Sequence, residues 1–410
     1  MIGLSRHQTS TQRLMEAFVA SLYGLERLLF IMDDYNKNHG EMQSWEILHD
    51  VVVTKSGKKK VQPWRGKRMK NMTLSKSMHR LANTMDESGN PLDQQFAVKL
   101  HKKANRIWWC GVNLEFATDS VTLQKTLQKA DFCRERLCVM CNWRRSIKVF
   151  WQVSKVMDVV QTEYSNLEPI FLTMTVRNCS GDDLSKTLDE MFRGWKNLID
   201  DHRIRRLIIG WFRALEVTCN PDERITPRLY EKRKKFYDRQ RLKVGDVNPV
   251  YDTYHPHFHV VLLVDKSYFK KGNRDYMHTA DWVSMWRGAC KLDYDPVCDI
   301  RKTQRTESGR VKVAEVAKYI LKDVEFIREG QPEWMDKTIG ELGKVLKGRR
   351  LVAFGGVMKK ISQHLKMSDP VDGDLVHIDD ESIRGDVALM IEEYSWDFGL
   401  LDYFRRPDMI

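Results

Sequence analysis

His255, His257 and His259 alternate along the segment Tyr254-His255-Pro256-His257-Phe258-His259-Val260-Val261-Leu262-Leu263-Val264. β-Branched and apolar residues dominate it and Pro256 sits near its start, so a β-strand is expected. Side chains on a strand alternate faces, which sends the three imidazoles to one side, ~7 Å from one to the next. Neutral imidazoles so placed can hold a divalent ion between them. The same pattern also fits a row of surface histidines on a half-exposed strand.

Two further groups carry chemistry. Cys133-x4-Cys138-x2-Cys141 has a tight knuckle on its C-terminal side, and Cys110 precedes it in Trp108-Trp109-Cys110-Gly111. Four thiolates from two loops suit a closed structural Zn²⁺ site; buried free cysteines or a redox role are the alternatives, and Cys179 or His101 compete with Cys110 as a ligand. Arg134, Arg136, Trp143, Arg144 and Arg145 surround the cluster and suit phosphate contact with base stacking, or a plain basic helix start. The other group lies on a helix expected over Val313–Lys322, where residues three and four apart share a face. Glu315, Tyr319 and Lys322 line up there, while Val313, Val316 and Ile320 face the core. Alone, such a tyrosine is compatible with a surface helix laced by ion pairs.

The elements that must position these groups follow from periodicity. Ile170–Val176 reads as a strand, and Asp182–Asp200 as an amphipathic helix with Leu184, Leu188, Met191, Trp195 and Leu198 on one stripe. Ile208–Cys219, containing Glu216, reads as a second strand. A basic insertion, Asn220–Asp252, then separates it from the histidine strand; it includes Glu231-Lys232-Arg233-Lys234-Lys235. A connection that long is functional or disordered as a rule. Thr279–Ala289 is expected as a helix, residues 297–302 as a strand, and Arg144–Val160 as a helix following the cysteines. The order β-α-β-β-α-β-α predicts an α+β fold, a split βαβ sandwich with an antiparallel sheet backed by helices. Four regions result: 1–100, helical and basic, a candidate DNA-binding region; 101–165, cysteine-rich with a helix; 166–326, the main sheet domain; and 327–410, helical with an acidic tail. The tryptophans at amphipathic positions (Trp108, Trp109, Trp195, Trp211, Trp282 and Trp286) are expected in the core.

The chain has 410 residues, enough for two or three domains. Lys plus Arg exceed Asp plus Glu by 12, and such an excess favours a polyanionic partner. No secretory signal is visible. Gln12–Met32 is apolar but carries Arg13, Glu16, Glu26 and Arg27, as an amphipathic helix does and a membrane span does not. Eight cysteines in a chain this long do not look like a disulfide framework. A reducing cytoplasm is the expected compartment.

In their order these motifs resemble the plasmid rolling-circle replication initiators (Rep proteins) of the HUH endonuclease superfamily, in the branch that pairs one tyrosine with a glutamate. The first family motif resembles Phe171-Leu172-Thr173-Met174-Thr175, and the metal-binding motif His257-Phe258-His259. The tyrosine motif resembles Tyr319-Ile320-Leu321-Lys322, with the extra glutamate at Glu315. Cys133–Arg145 and Lys347–Gly356 are also similar to that branch, so the resemblance spans roughly residues 105 to 375.

The resemblance implies metal-dependent nicking and joining of single-stranded or hairpin DNA at a plasmid double-strand origin. Tyr319 would be the nucleophile of a 5′-phosphotyrosine intermediate, Lys322 would stabilise charge, and Glu315 would assist the hydrolysis that ends the cycle. His257 and His259 would hold Mg²⁺ or Mn²⁺, Mn²⁺ being the better match to imidazole. For the third ligand Glu216 is favoured, because a neighbouring strand can present a carboxylate to the same face; His255 competes. Trp143, Arg144, Arg145, Lys232, Arg233 and Lys234 are candidate DNA contacts. A host helicase and polymerase are the implied partners, with a second copy of the chain (a homodimer) as another and no membrane. A relaxase or single-strand transposase of the same superfamily, or a non-catalytic zinc-containing DNA-binding repressor, are the competing readings.

Overall fold

The computed structural model describes residues 47–53, 59–303, 326–328, 330–369, 371–378 and 389–406. The expected helix with Glu315, Tyr319 and Lys322 lies outside the described residues, as does Gln12–Met32. In chain order the elements are β1 (Val51–Val53), β2 (Lys59–Val61), α1 (Trp64–Glu87), α2 (Pro91–Trp108), β3 (Asn113–Asp119), β4 (Lys125–Ala130), α3 (Val139–Glu163), β5 (Leu167–Thr175), α4 (Gly181–Asp200), α5 (His202–Leu207) and β6 (Gly210–Cys219). There follow α6 (Pro227–Lys232), α7 (Lys234–Arg239), β7 (Tyr254–Asp265), α8 (Thr279–Cys290), β8 (Cys298–Lys302), α9 (Pro332–Val345), β9 (Val352–Gly355), α10 (Gly356–His364), β10 (Leu389–Asp397) and β11 (Asp402–Arg405). They fall into two compact units, one made of residues up to Arg65, Val112–Ala130 and Ile383 onward, the other of Gly66–Gly111 and Asp131–Ser382.

The second unit holds a five-stranded sheet in the order β8-β5-β7-β6-β9, every neighbouring pair antiparallel. β5 and β6 both run against β7, which lies between them, so each is parallel to the other across one intervening strand. The fold class is therefore α+β with antiparallel sheets and packed helices, as expected. β7 is the middle strand and is buried along nearly its whole length, which explains its near-continuous run of Val and Leu beyond the histidines.

One face of this sheet carries the apolar core. Phe258 points there and meets Phe192 and Trp195 of α4 and Trp286 of α8, with ring centroids 5.5, 6.1 and 6.0 Å away. The α4 stripe Leu184, Leu188, Met191, Trp195 and Leu198 is buried as its spacing predicts. α4 and α8 approach closely at Gly194, where a Cβ would stand 2.2 Å from the Cys290 Sγ. Arg213, also on this face, is almost fully buried, its guanidinium lying over Phe192 and Phe258 at 4.6 and 4.7 Å. Burial drops its pKa to about 10, with Arg350 contributing. Cys219, Cys290 and Cys298 are buried core residues as expected, but Trp109 is 57% exposed.

The first unit holds a four-stranded sheet ordered β11-β10-β3-β4 and the β1–β2 ribbon. β10 and β11 replace helix with strand in part of the region expected to be helical after residue 327. Glu392 and Tyr394 alternate inward while Leu389 and Ile391 stay exposed, and of the carboxylates that suggested an acidic tail Glu392 and Glu393 lie in this sheet. Glu392 is buried beside Lys125, Thr118 and, at 3.3 Å, Arg405. Burial works against its charge, but Lys125 and Thr118 outweigh it and keep Glu392 below the usual carboxylate range.

Because Phe258 separates His257 from His259 on the strand and anchors the opposite face, we predict that Phe258→Ala destabilises the protein by about 3–5 kcal/mol. A urea melt checks this; a loss under about 1 kcal/mol would mean that the site face does not rest on this core.

Candidate active site

The register of β7 against its two neighbours builds the site. His257 lies opposite Thr175 of β5 and Glu216 of β6, and His259 lies opposite Thr173 and Ala214. Glu216 is thus directly across from one histidine and diagonal to the other, both within reach of a carboxylate on a pleated face. Its Oε2 stands 3.1 Å from His257 Nε2 and 3.0 Å from His259 Nε2. All three residues are buried, with Glu216 at 1% exposure.

Hydrogen bonds orient the rings. His257 Nδ1 is 3.1 Å from the His255 carbonyl oxygen, which can only accept, so Nδ1 carries the proton. In neutral His257 the Nε2 lone pair then faces the Glu216 carboxylate. Two lone-pair donors at that distance repel unless a proton or a cation lies between them. His259 Nδ1 is 3.3 Å from Thr173 Oγ1, and its ring stacks on Phe171 at 5.9 Å. Buried nitrogen and oxygen donors held on rigid strands could hold a divalent metal ion, and such outer contacts fix ligand orientation in metal sites.

His255 takes a different place. Its ring stacks on His257 at 5.2 Å, yet the ligand atoms that converge are those of Glu216, His257 and His259. Burial lowers its pKa to about 4, helped by His257 and Arg233, so it is neutral above that pH. His255 instead lines a cavity of about 900 Å³ that also takes in Lys232, Arg233 and Lys234. Lys232 and Lys234 are exposed and Arg233 half-buried. The basic insertion that bears them is ordered into α6 and α7 and pinned by Tyr237, which is fully buried.

The four cysteines come together as well. Sγ–Sγ separations are 3.5 Å for Cys110–Cys141, 3.8 Å for Cys133–Cys141 and 3.4 Å for Cys110–Cys138. These are far too long for disulfides and close to the ~3.8 Å edge of a tetrahedron built on ~2.3 Å Zn–S bonds. Neither Cys179 nor His101 joins the group. The backbone N–H groups of Cys133, Arg134 and Cys141 point at its sulfurs, at 3.4, 3.2 and 3.4 Å. Asn71 Nδ2 donates to Cys138 Sγ at 3.2 Å, a contact that no spacing in the sequence announces. Burial pushes the Cys110 thiol up. It opposes ionisation of Cys138 too, but hydrogen bonds from Cys110, Cys133 and Cys141 outweigh it and leave that thiol well below its ordinary range.

Arg144 and Arg145 beside the cluster serve the fold. Arg145 is buried, and its guanidinium donates to the carbonyls of Val371, Glu135 and Arg134 and to Asn142. It is therefore unavailable for phosphate, contrary to the expectation for this residue. Arg144 donates to the carbonyls of Leu375 and Val376 at 2.9 and 2.8 Å and lies 5.7 Å from the Trp143 ring. Arg145, Lys148 and Gln152 follow Cys141 at helical spacing on α3, a pattern that does mark them as one buried face.

Comparison with known proteins agrees with the motifs. Residues 124–404 match the family described as Replication protein. The chain is 33% identical over 390 residues to Protein rep of Bacillus amyloliquefaciens, covering 89% of this chain and 100% of that relative. It is 29% identical over 343 residues to Protein rep of Streptococcus pneumoniae serotype 2, covering 83% and 91%. With a Replication protein of Staphylococcus aureus it shares 29% identity over 252 residues, covering 60% and 94%. No solved structure matches the chain significantly. The chain belongs to the replication-protein family, the HUH-type Rep initiators that its motifs resemble.

Proposed function

We propose that this chain is a metal-dependent DNA nickase and strand transferase that initiates rolling-circle replication of a small plasmid. The observation that carries the reading is the convergence of Glu216 on His257 and His259 in a member of this family. The strand order β8-β5-β7-β6 with antiparallel neighbours supports the reading of a split βαβ sandwich as the endonuclease domain over residues 166–326.

Glu216, His257 and His259 would hold Mg²⁺ or Mn²⁺, which when bound supplies positive charge to the scissile phosphate and the departing 3′ oxygen. Tyr319 is the nucleophile: its phenolic oxygen bonds to phosphorus, the bond from phosphorus to O3′ breaks, and the phenolic proton is balanced by the proton gained at the free 3′-hydroxyl. The 5′-phosphotyrosine retains the phosphodiester energy and divides one reaction into two. Lys322 stabilises the negative charge on the phenolate and phosphate. At termination Glu315 takes a proton from water, hydroxide oxygen bonds to phosphorus, and the tyrosine oxygen leaves and is reprotonated. A polymerase then extends the 3′-hydroxyl, with a helicase opening the duplex. The four cysteines would hold structural Zn²⁺, which when bound would tie the start of α3 to the loop before it.

Three outcomes follow. With origin single-stranded DNA and Mn²⁺ the wild-type chain forms a denaturation-resistant adduct and Tyr319→Phe does not, while Glu315→Ala nicks but releases DNA poorly; an adduct in Tyr319→Phe would exclude the assignment of the nucleophile. Glu216→Ala lowers the cleavage rate by about 100-fold or more, and unchanged Mn²⁺-dependent cleavage would remove it from the metal set. Purified protein carries about one zinc per chain by elemental analysis, and Cys138→Ser loses it together with thermal stability; zinc-free folded protein contradicts the site.

A further inference from the structure

The 900 Å³ cavity lined by His255 has a second wall to which Glu216, His257 and His259 contribute nothing. There the Arg177 guanidinium lies over the Tyr294 ring, its Cζ 3.8 Å from the centroid. The Tyr294 hydroxyl accepts the backbone N–H of Arg177 at 2.8 Å, which fixes the ring against the end of β5. Arg177 is exposed, with Asp293 4.0 Å away. Across the cavity, α6 and α7 present Lys232, Arg233, Lys234, Lys235 and Arg239, and Phe236 adds a partly exposed aromatic ring. Among the described residues two carboxylates line the space, Glu231 and Asp295, and Asp295 is held by Arg287 at 3.1 Å.

We infer that this cavity is a single-stranded DNA subsite, in which the Arg177–Tyr294 stack is a platform for an unstacked base and the α6–α7 cations hold the flanking phosphates. A stacked guanidinium and aromatic pair offers a flat face to any base, and clustered Lys and Arg supply sequence-independent phosphate contact. Paired bases hide their faces within the duplex stack, so such a platform selects single strands. His255 forms the shared wall: it lines the cavity and its ring lies against His257. A strand seated here therefore runs onto the Glu216–His257–His259 group. Arg177 and Tyr294 thereby act as positioning residues for the strand. The inference deepens the nickase reading and rests on it for the choice of DNA.

The test is fluorescence anisotropy without added divalent metal, using labelled dT12, a base-free strand of the same length and a 12-base-pair duplex. Wild-type protein should prefer dT12 to the base-free strand by about tenfold. Tyr294→Ala and Arg177→Ala should each lose that preference, while Tyr294→Phe keeps it. The Lys232→Ala, Lys234→Ala, Lys235→Ala triple variant should weaken both strands alike and reduce the salt slope by about 2. Circular dichroism melts confirm folding, and Tyr294→Phe, which keeps the ring and removes the hydroxyl, separates loss of the stacking face from loss of the hydrogen bond to Arg177. A Tyr294→Ala protein that retains the base preference, a triple variant with an unchanged slope, or a duplex bound as tightly as dT12 overturns the inference. Adduct formation with Mn²⁺ separates the two proposals: adducts in a chain whose pocket variants bind normally remove the subsite alone. Base-dependent binding without any adduct supports the subsite and removes the nickase.

Discussion

Glu216 and His257 face each other across the β6–β7 ladder, and His259 lies one pleat further along the same strand. The rest of the candidate site depends on that register. Because strand side chains alternate, a slip of one residue in β6 would turn Glu216 to the helix-covered face and bring a hydrophobic neighbour, Leu215 or Val217, towards the imidazoles. The slip is opposed on the other face by Arg213, Leu215 and Phe258, which are buried under α4 and α8. A polar group of one carboxylate and two imidazoles is thus held in place by the apolar packing behind it. β5 completes the frame by placing Thr173 and Thr175 on the outer side of the histidines.

The same economy of placement governs the cysteine cluster. Cys138 caps the start of α3 and Cys141 lies within its first turn, so one helix start supplies two thiols while Cys110 and Cys133 come from separate connections. The helix continues as a buried polar face: Arg145, Lys148 and Gln152 donate to the carbonyls of Val371, Asp369, Asp374 and Ser368. Those carbonyls find their donors on α3, and Val371 is itself buried, where an acceptor needs a partner. Ordering the cysteine loop and ordering the chain after α10 are therefore coupled through one helix.

Much of this was legible in the sequence. The His-x-His alternation, the carboxylate on the preceding strand and the α4 stripe are local patterns, and periodicity identifies them directly. Cys110 was harder, because it is distant in sequence and Cys179 and His101 offered similar chemistry; only packing brings it to the other three. Arg145 was misassigned because an Arg pair after a cysteine knuckle looks like a phosphate contact, whereas the helical phase it shares with Cys141 buries it. The first unit was least legible: its sheet pairs β3 with β10, about 275 residues later, and no local period reports so distant a pairing. The Arg177–Tyr294 stack was equally silent, since its members come from different loops.

The central claim is that Glu216, His257 and His259 hold one divalent ion. Crystals soaked in Mn²⁺ and measured at the manganese absorption edge test it most directly. The account predicts one anomalous peak within ~2.0–2.4 Å of Glu216 Oε2, His257 Nε2 and His259 Nε2, with His255 outside the coordination shell. A peak bound by His255 in place of Glu216, or Mn²⁺ found only elsewhere on the protein, would contradict it.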